Sequence, residues 1–414
     1  MNPAAPPLIS AAELQDLYDS VARFAREEIA PHVNDWDAAG EFPRALYRRA
    51  AELGLLAIGY PEHLGGTPAG YAMRLPVWVA LCRHGGSGGV LASLFSHNIG
   101  LPPLVAHGSA ALQAQVVPGV LRGEQIAALA ITEPGGGSDV AALRTTARLD
   151  GDHYVVDGEK VFITSGVRAD WITVAVRVVD PHAPPLRGSL PPEGAGSPWE
   201  RPGGDPRAKS KGGISMLLIP GDAPGLSRSP LQKMGWHCSD TAHLRFDGVR
   251  VPASHLIGRE GDGFKIIMSN FNAERFGLAA GALGFAQACF DEALAWARQR
   301  KTFGAALVER QVIRHKLVDM LMRIASTEAW LQAIAARADA GDTSPAWVAE
   351  VCLLKNHATQ TMQFCADQAV QILGGMGFMR GTVSERIYRE VKVMMIGGGA
   401  EEIMKDLAAR QWGL

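Results

Sequence analysis

The apolar residues of this chain change their spacing twice, and this change limits the possible folds more than any other feature. Up to about residue 127 they recur every three or four positions, as at Leu14, Leu17 and Val21, which predicts amphipathic helices. Between 128 and 250, β-branched runs separated by Asp-Gly pairs predict strands and turns. Long helical stripes return after about residue 260. We therefore expect helices over 1–127, a small β-domain over 128–250 and helices over 251–414.

Length, charge and cysteine content narrow the function classes. A chain of 414 residues suits two or three domains. Its net charge of −2 gives no electrostatic footprint for nucleic acid or an anionic membrane, so we expect neither as a partner. The five cysteines include no C-x-x-C pair, and the N-terminus shows no export signal, which favours reduced thiols and a cytoplasmic location.

Two stretches have an unusual composition. No Lys, Arg, Asp or Glu lies between Arg83 and Arg122, but His97, Asn98 and two prolines interrupt the run, which favours a buried helical region over a membrane span. Residues 180–213 contain eight prolines and seven glycines, which is typical of a flexible insertion in the β-domain. A solvated loop is the favoured interpretation of this insertion, and a binding role is the alternative.

The common nucleotide and metal motifs are missing: the chain has no G-x-G-x-x-G, no P-loop and no H-E-x-x-H. Three other stretches stand out, namely ITEPGGGSD at 131–139, VFITSG at 161–166 and RQRKTFG at 298–304. The first suits close approach of backbone to a ligand, the second a wall for a planar heterocycle, and the third a cationic helix end. Each has an ordinary structural explanation as well, so none decides the function alone.

In order and spacing, however, these stretches resemble the acyl-CoA dehydrogenase family. KMGWHCSDTAHLRFDGVRVP at 233–252, VQILGGMGF at 370–378, YREVKVMMIGGGAEEIM at 388–404 and FPRALYRRAAELGLLAIGYPEHLGG at 42–66 carry the same resemblance, which covers nearly the whole chain apart from the insertion. It implies an α+β multidomain fold with an N-terminal α-helical domain, a middle β-barrel-like domain and a C-terminal four-helix bundle. It also implies FAD as the cofactor and an obligate homo-oligomer, usually a tetramer built as a dimer of dimers.

The resemblance implies flavin contacts from two sets of residues. The first set, in the β-domain, comprises Leu129, Ile131, Thr132, Ser138, Phe162 and Thr164. The second set is expected to contact the flavin of a neighbouring subunit and comprises Arg300, Thr302, Phe303, Gln311, Gln371, Leu373, Gly374 and Gly375. Ala400 and Glu402 fall on further flavin positions, although most members have threonine where this chain has Ala400, so one hydroxyl contact is missing.

The reaction implied by the resemblance is α,β-desaturation of an acyl-CoA, in which a carboxylate takes the α-proton. Many members carry that carboxylate at the position of Gly398, so the commoner base is absent here. A second family pattern places it on a helix just before an arginine, which predicts Glu274 as the base and Arg275 as a supporting group. The backbone N–H of Gly398 is expected to bind the thioester oxygen. Expected substrate contacts come from Ser138, Phe271, Asn272, Arg275 and Gly397.

Electron-transfer flavoprotein is the implied electron acceptor. Two alternatives stay open: an oxidase of the same fold that reduces oxygen directly, and a non-catalytic member that binds nucleic acid. The near-zero charge and the complete set of site residues count against the second. The sequence does not define the acyl group, although glycine at 397 and 398 leaves room that suits long, branched or cyclic chains.

Overall fold

A computed structural model describes residues 10–179 and 213–414, so the predicted insertion lies, except for Gly213, outside the described residues. The first part of the chain is helical, as predicted. Its helices are α1 (Ala11–Phe24), α2 (Val33–Ala39), α3 (Ala45–Glu52), α4 (Tyr71–Gly85), α5 (Gly88–Leu94), α6 (His97–Gly100), α7 (Pro102–His107) and α8 (Ala110–Leu121). Ser10 and Glu13 form a reciprocal capping box at the start of α1, and serines also cap α5 and α8, which accounts for where these helices begin.

The middle of the chain forms a mainly antiparallel sheet. Its strands are β1 (Ala127–Ala130), β2 (Thr146–Asp150), β3 (His153–Thr164), β4 (Trp171–Val179), β5 (Ile214–Pro220), β6 (Leu226–Pro230), β7 (Thr241–Pro252) and β8 (Leu256–Ile257). They are ordered β6-β7-β3-β2-β4-β5-β8, and β1 pairs in parallel with β4. Within the described residues the sheet is open, with β6 and β8 at its edges, and is not a closed barrel. The short β8 lies beyond residue 250, where we expected the sheet to end.

The last part is again helical and contains α9 (Gly263–Gln299), α10 (Gln311–Asp339), α11 (Pro345–Leu373), α12 (Gly375–Phe378), α13 (Val383–Ile396) and α14 (Glu401–Trp412). A two-stranded hairpin of β9 (Lys301–Thr302) and β10 (Ala305–Ala306) separates α9 from α10. Ser344 caps α11 directly before Pro345, and Thr382 caps α13. The helical interpretation of both ends and the sheet-rich middle are thus confirmed.

One hydrophobic core connects the three parts. It contains Phe24 from α1, Trp78 from α4, Leu217 from β5 and Phe285 from α9, and all four side chains are buried. Helices α4 and α9 cross closely at Gly284, where an added Cβ would lie 2.5 Å from a backbone oxygen of α4. Because α9 starts against β5 and crosses α4, residues near its middle are held rigidly where the sheet meets both helical parts.

Long apolar segments are few in the described part of the chain. No single helix there is long and apolar enough to cross a membrane. The bent helix pair Gly88–Leu94 and His97–His107 has the length and composition of a membrane span, but no other feature of one is shown. It coincides with the uncharged stretch noted in the sequence, where Val90, Leu94 and Leu104 are buried in the protein.

Candidate active site

Glu274 lies on α9 at the junction just described. Its side chain is largely buried, and Oε2 is inaccessible to solvent, with no hydrogen-bond partner among residues 10–179 and 213–414. Burial raises the pKa of Glu274 from 4.5 to about 7, although the positive charges of Arg275 and Lys355 favour the ionised form. A buried carboxyl without a partner is costly for folding, and such groups concentrate at functional sites.

The glycine loop between α13 and α14 faces this carboxyl. Gly398 has a φ of +67°, and a Cβ placed there would lie 3.7 Å from Glu274 Oε1 and 2.7 Å from Leu278 Cδ1. A side chain at 398 would therefore enter the space that Glu274 reaches from α9. The two alternative carboxylate positions considered in the sequence thus converge on one volume. Glycine is favoured here by the left-handed backbone and by the close approach of the Leu278 side chain.

Arg275 connects the helix to the loop. It is buried, its Nε donates to the Gly398 carbonyl at 3.1 Å, and its Nη1 donates to Asn272 Oδ1 at 3.2 Å. The guanidinium also lies 5.4 Å from the ring centroid of Phe271. Three predicted substrate residues are therefore brought together, but the Asn272 oxygen is already engaged by Arg275. The N–H of Gly397 donates to Val393 at the end of α13, whereas the N–H of Gly398 has no partner in the described part of the chain.

The two acids that follow the loop point to other neighbours. Glu401 Oε1 accepts hydrogen bonds from Lys405 and Gln360, each at 2.7 Å, and Lys405 lowers the pKa of Glu401. Glu402 is exposed in the first turn of α14. Ala400 occupies the N-cap position of α14 and offers no side-chain hydrogen bond, as expected from the missing hydroxyl. Both acids occupy positions that the helix dipole alone favours.

The glycine-rich loop that follows β1 rests on a buried ion pair. Lys160 is fully buried, and its Nζ donates to Glu133 Oε1 at 2.8 Å and to the Ile131 carbonyl at 2.9 Å. Thr145 donates to Glu133 through both its N–H and its hydroxyl. Against the opposing effect of burial, Lys160 and Thr145 hold the pKa of Glu133 below its ordinary value. The sequence analysis missed this pair, although Glu133 lies within the ITEPGGGSD motif.

The predicted β-domain contacts divide into exposed and buried groups. The loop from Gly135 to Ser138 is exposed, and Thr132 and Thr164 are partly exposed. Leu129 and Ile131 are buried, so they can contact a cofactor mainly through their backbone atoms. Phe162 has a φ of +63° and a half-exposed ring, because β3 bulges between Lys160 and Ile163. Phe162 and Thr164 are both more exposed than Ile163, which lies between them.

The second predicted set lies on the outer surface of the last helices. Phe303 is fully exposed at a φ of +50°, and Arg310 donates to the carbonyl of the neighbouring Thr302. Leu373 is buried, so it can contact a cofactor mainly through its backbone atoms. The other members are exposed: Arg300, Gln311, Gln371, Gly374 and Gly375. Their predicted contact with a neighbouring subunit stays a prediction.

The residues present fit the flavin that the resemblance implies. The exposed glycine loop supplies backbone around Gly135 and Gly136, where an added Cβ would meet at most one atom within 4 Å. The hydroxyls of Thr132, Ser138 and Thr164 can bind a polyhydroxylated chain, and the Phe162 ring can cover a planar heterocycle. The chain therefore offers a surface suited to a planar cofactor in the β-domain and, on α9, a carboxyl with an unpartnered oxygen.

The chain matches family profiles along most of its length: acyl-CoA dehydrogenase N-terminal domain at 11–124, middle domain at 128–189 and C-terminal domain at 261–413. It is 32% identical to cyclohexane-1-carbonyl-CoA dehydrogenase of Geobacter metallireducens, over 96% of this chain and 97% of that protein. Among solved structures, a Mycobacterium smegmatis protein described as an acyl-CoA dehydrogenase superimposes on this chain with a TM-score of 0.88. The two sequences are 42% identical, and the match covers 98% of this chain and 98% of that protein.

Butyryl-CoA dehydrogenase of Megasphaera elsdenii is similar as well, with a TM-score of 0.85 and 26% identity, covering 99% of this chain and all of the other. These matches agree with the motif resemblance and with the observed order of helices, sheet and helices. The chain thus belongs to the acyl-CoA dehydrogenase family, whose members are flavoprotein oxidoreductases that act on acyl-CoA thioesters.

Proposed function

We propose that Glu274 removes the α-proton of an acyl-CoA thioester and that the product is the trans-2-enoyl thioester. The observation that carries this proposal is the distance of 3.7 Å between Glu274 Oε1 and the Cβ position of residue 398. The carboxylate and the N–H of Gly398 therefore border one space, where a proton acceptor and a hydrogen-bond donor are both needed. FAD, when bound, supplies the acceptor for the hydride that leaves the β-carbon.

The Gly398 N–H supports proton removal by binding the thioester oxygen as negative charge develops there. This N–H has no competing partner within the described residues, and Arg275 holds the carbonyl of the same residue at 3.1 Å. A donor that is fixed before the reaction needs no reorganisation, which is the main advantage of such a site. Arg275 acts through the loop and is therefore a positioning residue.

The surroundings of Glu274 suit a general base at neutral pH. With a pKa near 7, about half of the carboxyl groups are ionised at pH 7, and the ionised form binds a proton more strongly than an ordinary glutamate. Below pH 7 the neutral form predominates, so the rate of proton removal should rise with pH through this range. The acids at 401 and 402 lack this burial.

For the substrate we propose an acyl group that is branched, cyclic or long near its thioester end. Gly397 and Gly398 carry no side chains, so no side chain at these two positions restricts the bulk of the acyl group. The similarity to a cyclohexane-1-carbonyl-CoA dehydrogenase supports a cyclic acyl group as one member of this class. We further propose FAD as the flavin, electron-transfer flavoprotein as the acceptor, a homotetramer and a cytoplasmic location.

The test of the base compares Glu274→Gln with Glu402→Gln in the flavin-loaded protein, by anaerobic bleaching of the flavin with acyl-CoA. General-base catalysis contributes roughly 10²–10⁴-fold, so Glu274→Gln should lose that factor while it keeps its flavin and binds the thioester. Glu402→Gln should at most weaken flavin retention and, with flavin bound, should bleach almost normally, because its exposed side chain is not the proposed base. Near-normal bleaching by Glu274→Gln would refute the assignment.

A panel of short, long, branched and cyclic acyl-CoA thioesters then identifies the acyl group. We expect faster bleaching by branched, cyclic or long thioesters than by butyryl-CoA. A preference for butyryl-CoA would contradict the proposed substrate class. Reoxidation of the reduced flavin separates the acceptors: slow reaction with air and fast reaction with electron-transfer flavoprotein is the expected result, and the reverse indicates an oxidase.

A further inference from the structure

A buried lysine, in addition to Arg275, binds the backbone of the glycine loop. Lys355 of α11 is fully buried, and its Nζ donates to the carbonyls of Met395 and Gly399, both at 2.8 Å. Its neighbour Asn356 donates from Nδ2 to the Glu401 carbonyl at 2.9 Å. These two side chains of α11 therefore hold backbone oxygens at the end of α13, within the loop and at the start of α14.

The pKa of this lysine is unusual. Burial lowers the pKa of Lys355 to about 8, with Arg275 acting in the same direction and the negative charges of Glu274 and Glu401 opposing. No carboxylate forms an ion pair with Lys355 within the described ranges 10–179 and 213–414. An apolar residue of similar size fills such a position at lower cost. The retained charge therefore points to a task beyond filling the core.

That task follows from what surrounds the base. Glu274 faces Arg275 on its own helix and Lys355 on α11, while Cys352, one turn before Lys355, lies against Arg275. From α14, Glu401 acts on Lys355 and is itself paired with Lys405. Among these groups, Arg275 and Lys355 both contact the loop backbone and oppose the effect of burial on Glu274, and Lys355 is the one that does so from α11.

We propose that Lys355 is a positioning residue of the active site: it fixes the carbonyls on either side of Gly397 and Gly398, and its charge favours the ionised form of Glu274. The inference rests on the proposed function, because it assumes that Glu274 is the base. Arg275 and Lys355 then hold the loop through the carbonyls of consecutive residues, Gly398 and Gly399. The N–H of Gly398 keeps no partner within the described residues and stays available to the thioester oxygen.

The experiment is an infrared titration of the Glu274 carboxyl in the FAD-loaded protein without substrate, taking Glu274→Gln as the reference spectrum. Lys355→Gln keeps a hydrogen-bond donor but loses the charge, and Lys355→Met fills the same volume if the amide is not tolerated. Loss of one neighbouring charge should move the midpoint upward by about one pH unit, which is a tenfold smaller ionised-to-neutral ratio below the midpoint. The acid limb of the flavin-bleaching rate should move by the same amount.

Lys405→Gln is the matched control: it removes the same charge from the exposed face of α14 and should leave the midpoint unchanged. Lys355→Arg retains the charge and should keep the midpoint near that of the unaltered protein. An unchanged midpoint in Lys355→Gln or Lys355→Met, with bleaching slowed equally at every pH, would show a purely structural lysine and overturn the proposal.

A variant that leaves the charge in place tests the loop contacts separately. Asn356→Ala removes only the bond to the Glu401 carbonyl and should slow bleaching at all pH values without moving the midpoint. If neither uncharged variant of Lys355 retains flavin, the titration of Glu274 is made on the flavin-free proteins, and an unchanged midpoint there overturns the proposal. If the proposed function itself is wrong, the result is distinguishable, because the flavin of Glu274→Gln would then be bleached normally, independently of the Lys355 variants.

Discussion

Replacing Glu274 by glutamine should stabilise the protein while it abolishes most activity. The neutral carboxyl is favoured in the buried site, so the folded state releases its proton only near pH 7, whereas the unfolded chain releases it near 4.5. As the pH rises between these values, the unaltered protein loses stability, because the unfolded state ionises first. Glutamine does not titrate and escapes this loss.

The size of the effect follows from the two pKa values, 4.5 and about 7. The difference amounts to about 1.4 kcal/mol per pH unit. Raising the pH from 4.5 to above 7 should therefore increase the free energy of unfolding of Glu274→Gln by ~3 kcal/mol relative to that of the unaltered protein. At pH 5 the gain should be only about 1 kcal/mol. For a chain of 414 residues that unfolds as one unit, ~3 kcal/mol corresponds to an increase in Tm of about 3–4 °C.

Differential scanning calorimetry at several pH values between 5 and 8, with excess FAD, measures this difference. The unaltered protein and Glu402→Gln should show the same pH dependence, because the 402 side chain is exposed. A Tm difference for Glu274→Gln that does not grow between pH 5 and 8 would refute the reasoning. It would mean that the Glu274 carboxyl is ionised in the folded protein at ordinary pH and fully compensated by its neighbours.

Three further changes test other parts of the structure. Gly398→Ala should lower the free energy of unfolding by about 1–2 kcal/mol because of the left-handed backbone, and further because of the contact with Leu278. Adding Leu278→Ala should remove only the part due to the contact. Thermal unfolding of the single and double variants measures both parts. Lys160→Met should destabilise by about 3–5 kcal/mol, because it leaves Glu133 buried without its partner. Adding Glu133→Gln should recover part of that loss in Tm, and no recovery would contradict the pairing. Phe303→Ala should leave the Tm of the flavin-free protein unchanged, since the ring is fully exposed, but release flavin faster on dilution, measured by flavin fluorescence; unchanged retention would remove Phe303 from the cofactor site.

The order of helices, sheet and helices could be predicted because each part keeps one hydrophobic period over long segments. The details that the sequence could not reveal are local. The bulge at Phe162 depends on how β3 pairs with β7, and alternation along one strand does not reveal such an irregularity. Similarly, the two-residue β8 beyond position 250 exists only because it pairs with β5, which no property of residues 256–257 alone indicates.

At the site, the sequence could identify residues that the family motifs contain, and it missed those that act through burial. Glu274 and Gly398 were predicted from motifs, and the structure places Glu274 Oε1 3.7 Å from where a Cβ of residue 398 would lie. Lys160 and Lys355 were not singled out, because a lysine in a helix or strand is most often on the surface. Their burial follows from the packing of distant segments, such as β3 against the loop after β1, and α11 against the loop after α13.

The three glycines of the loop explain why the base position and the loop sequence belong together. A Cβ at Gly397 would lie 3.0 Å from the Val393 carbonyl, and one at Gly399 would lie 2.3 Å from Met404 Cε. At Gly398 the obstacle is Leu278, on the same helix as Glu274 and one turn later. A side chain moved from 274 to 398 therefore meets the end of the Leu278 side chain first. Moving the carboxylate between these two positions needs Leu278 to change its rotamer or to be replaced by a smaller residue, because helix and loop approach each other closely here.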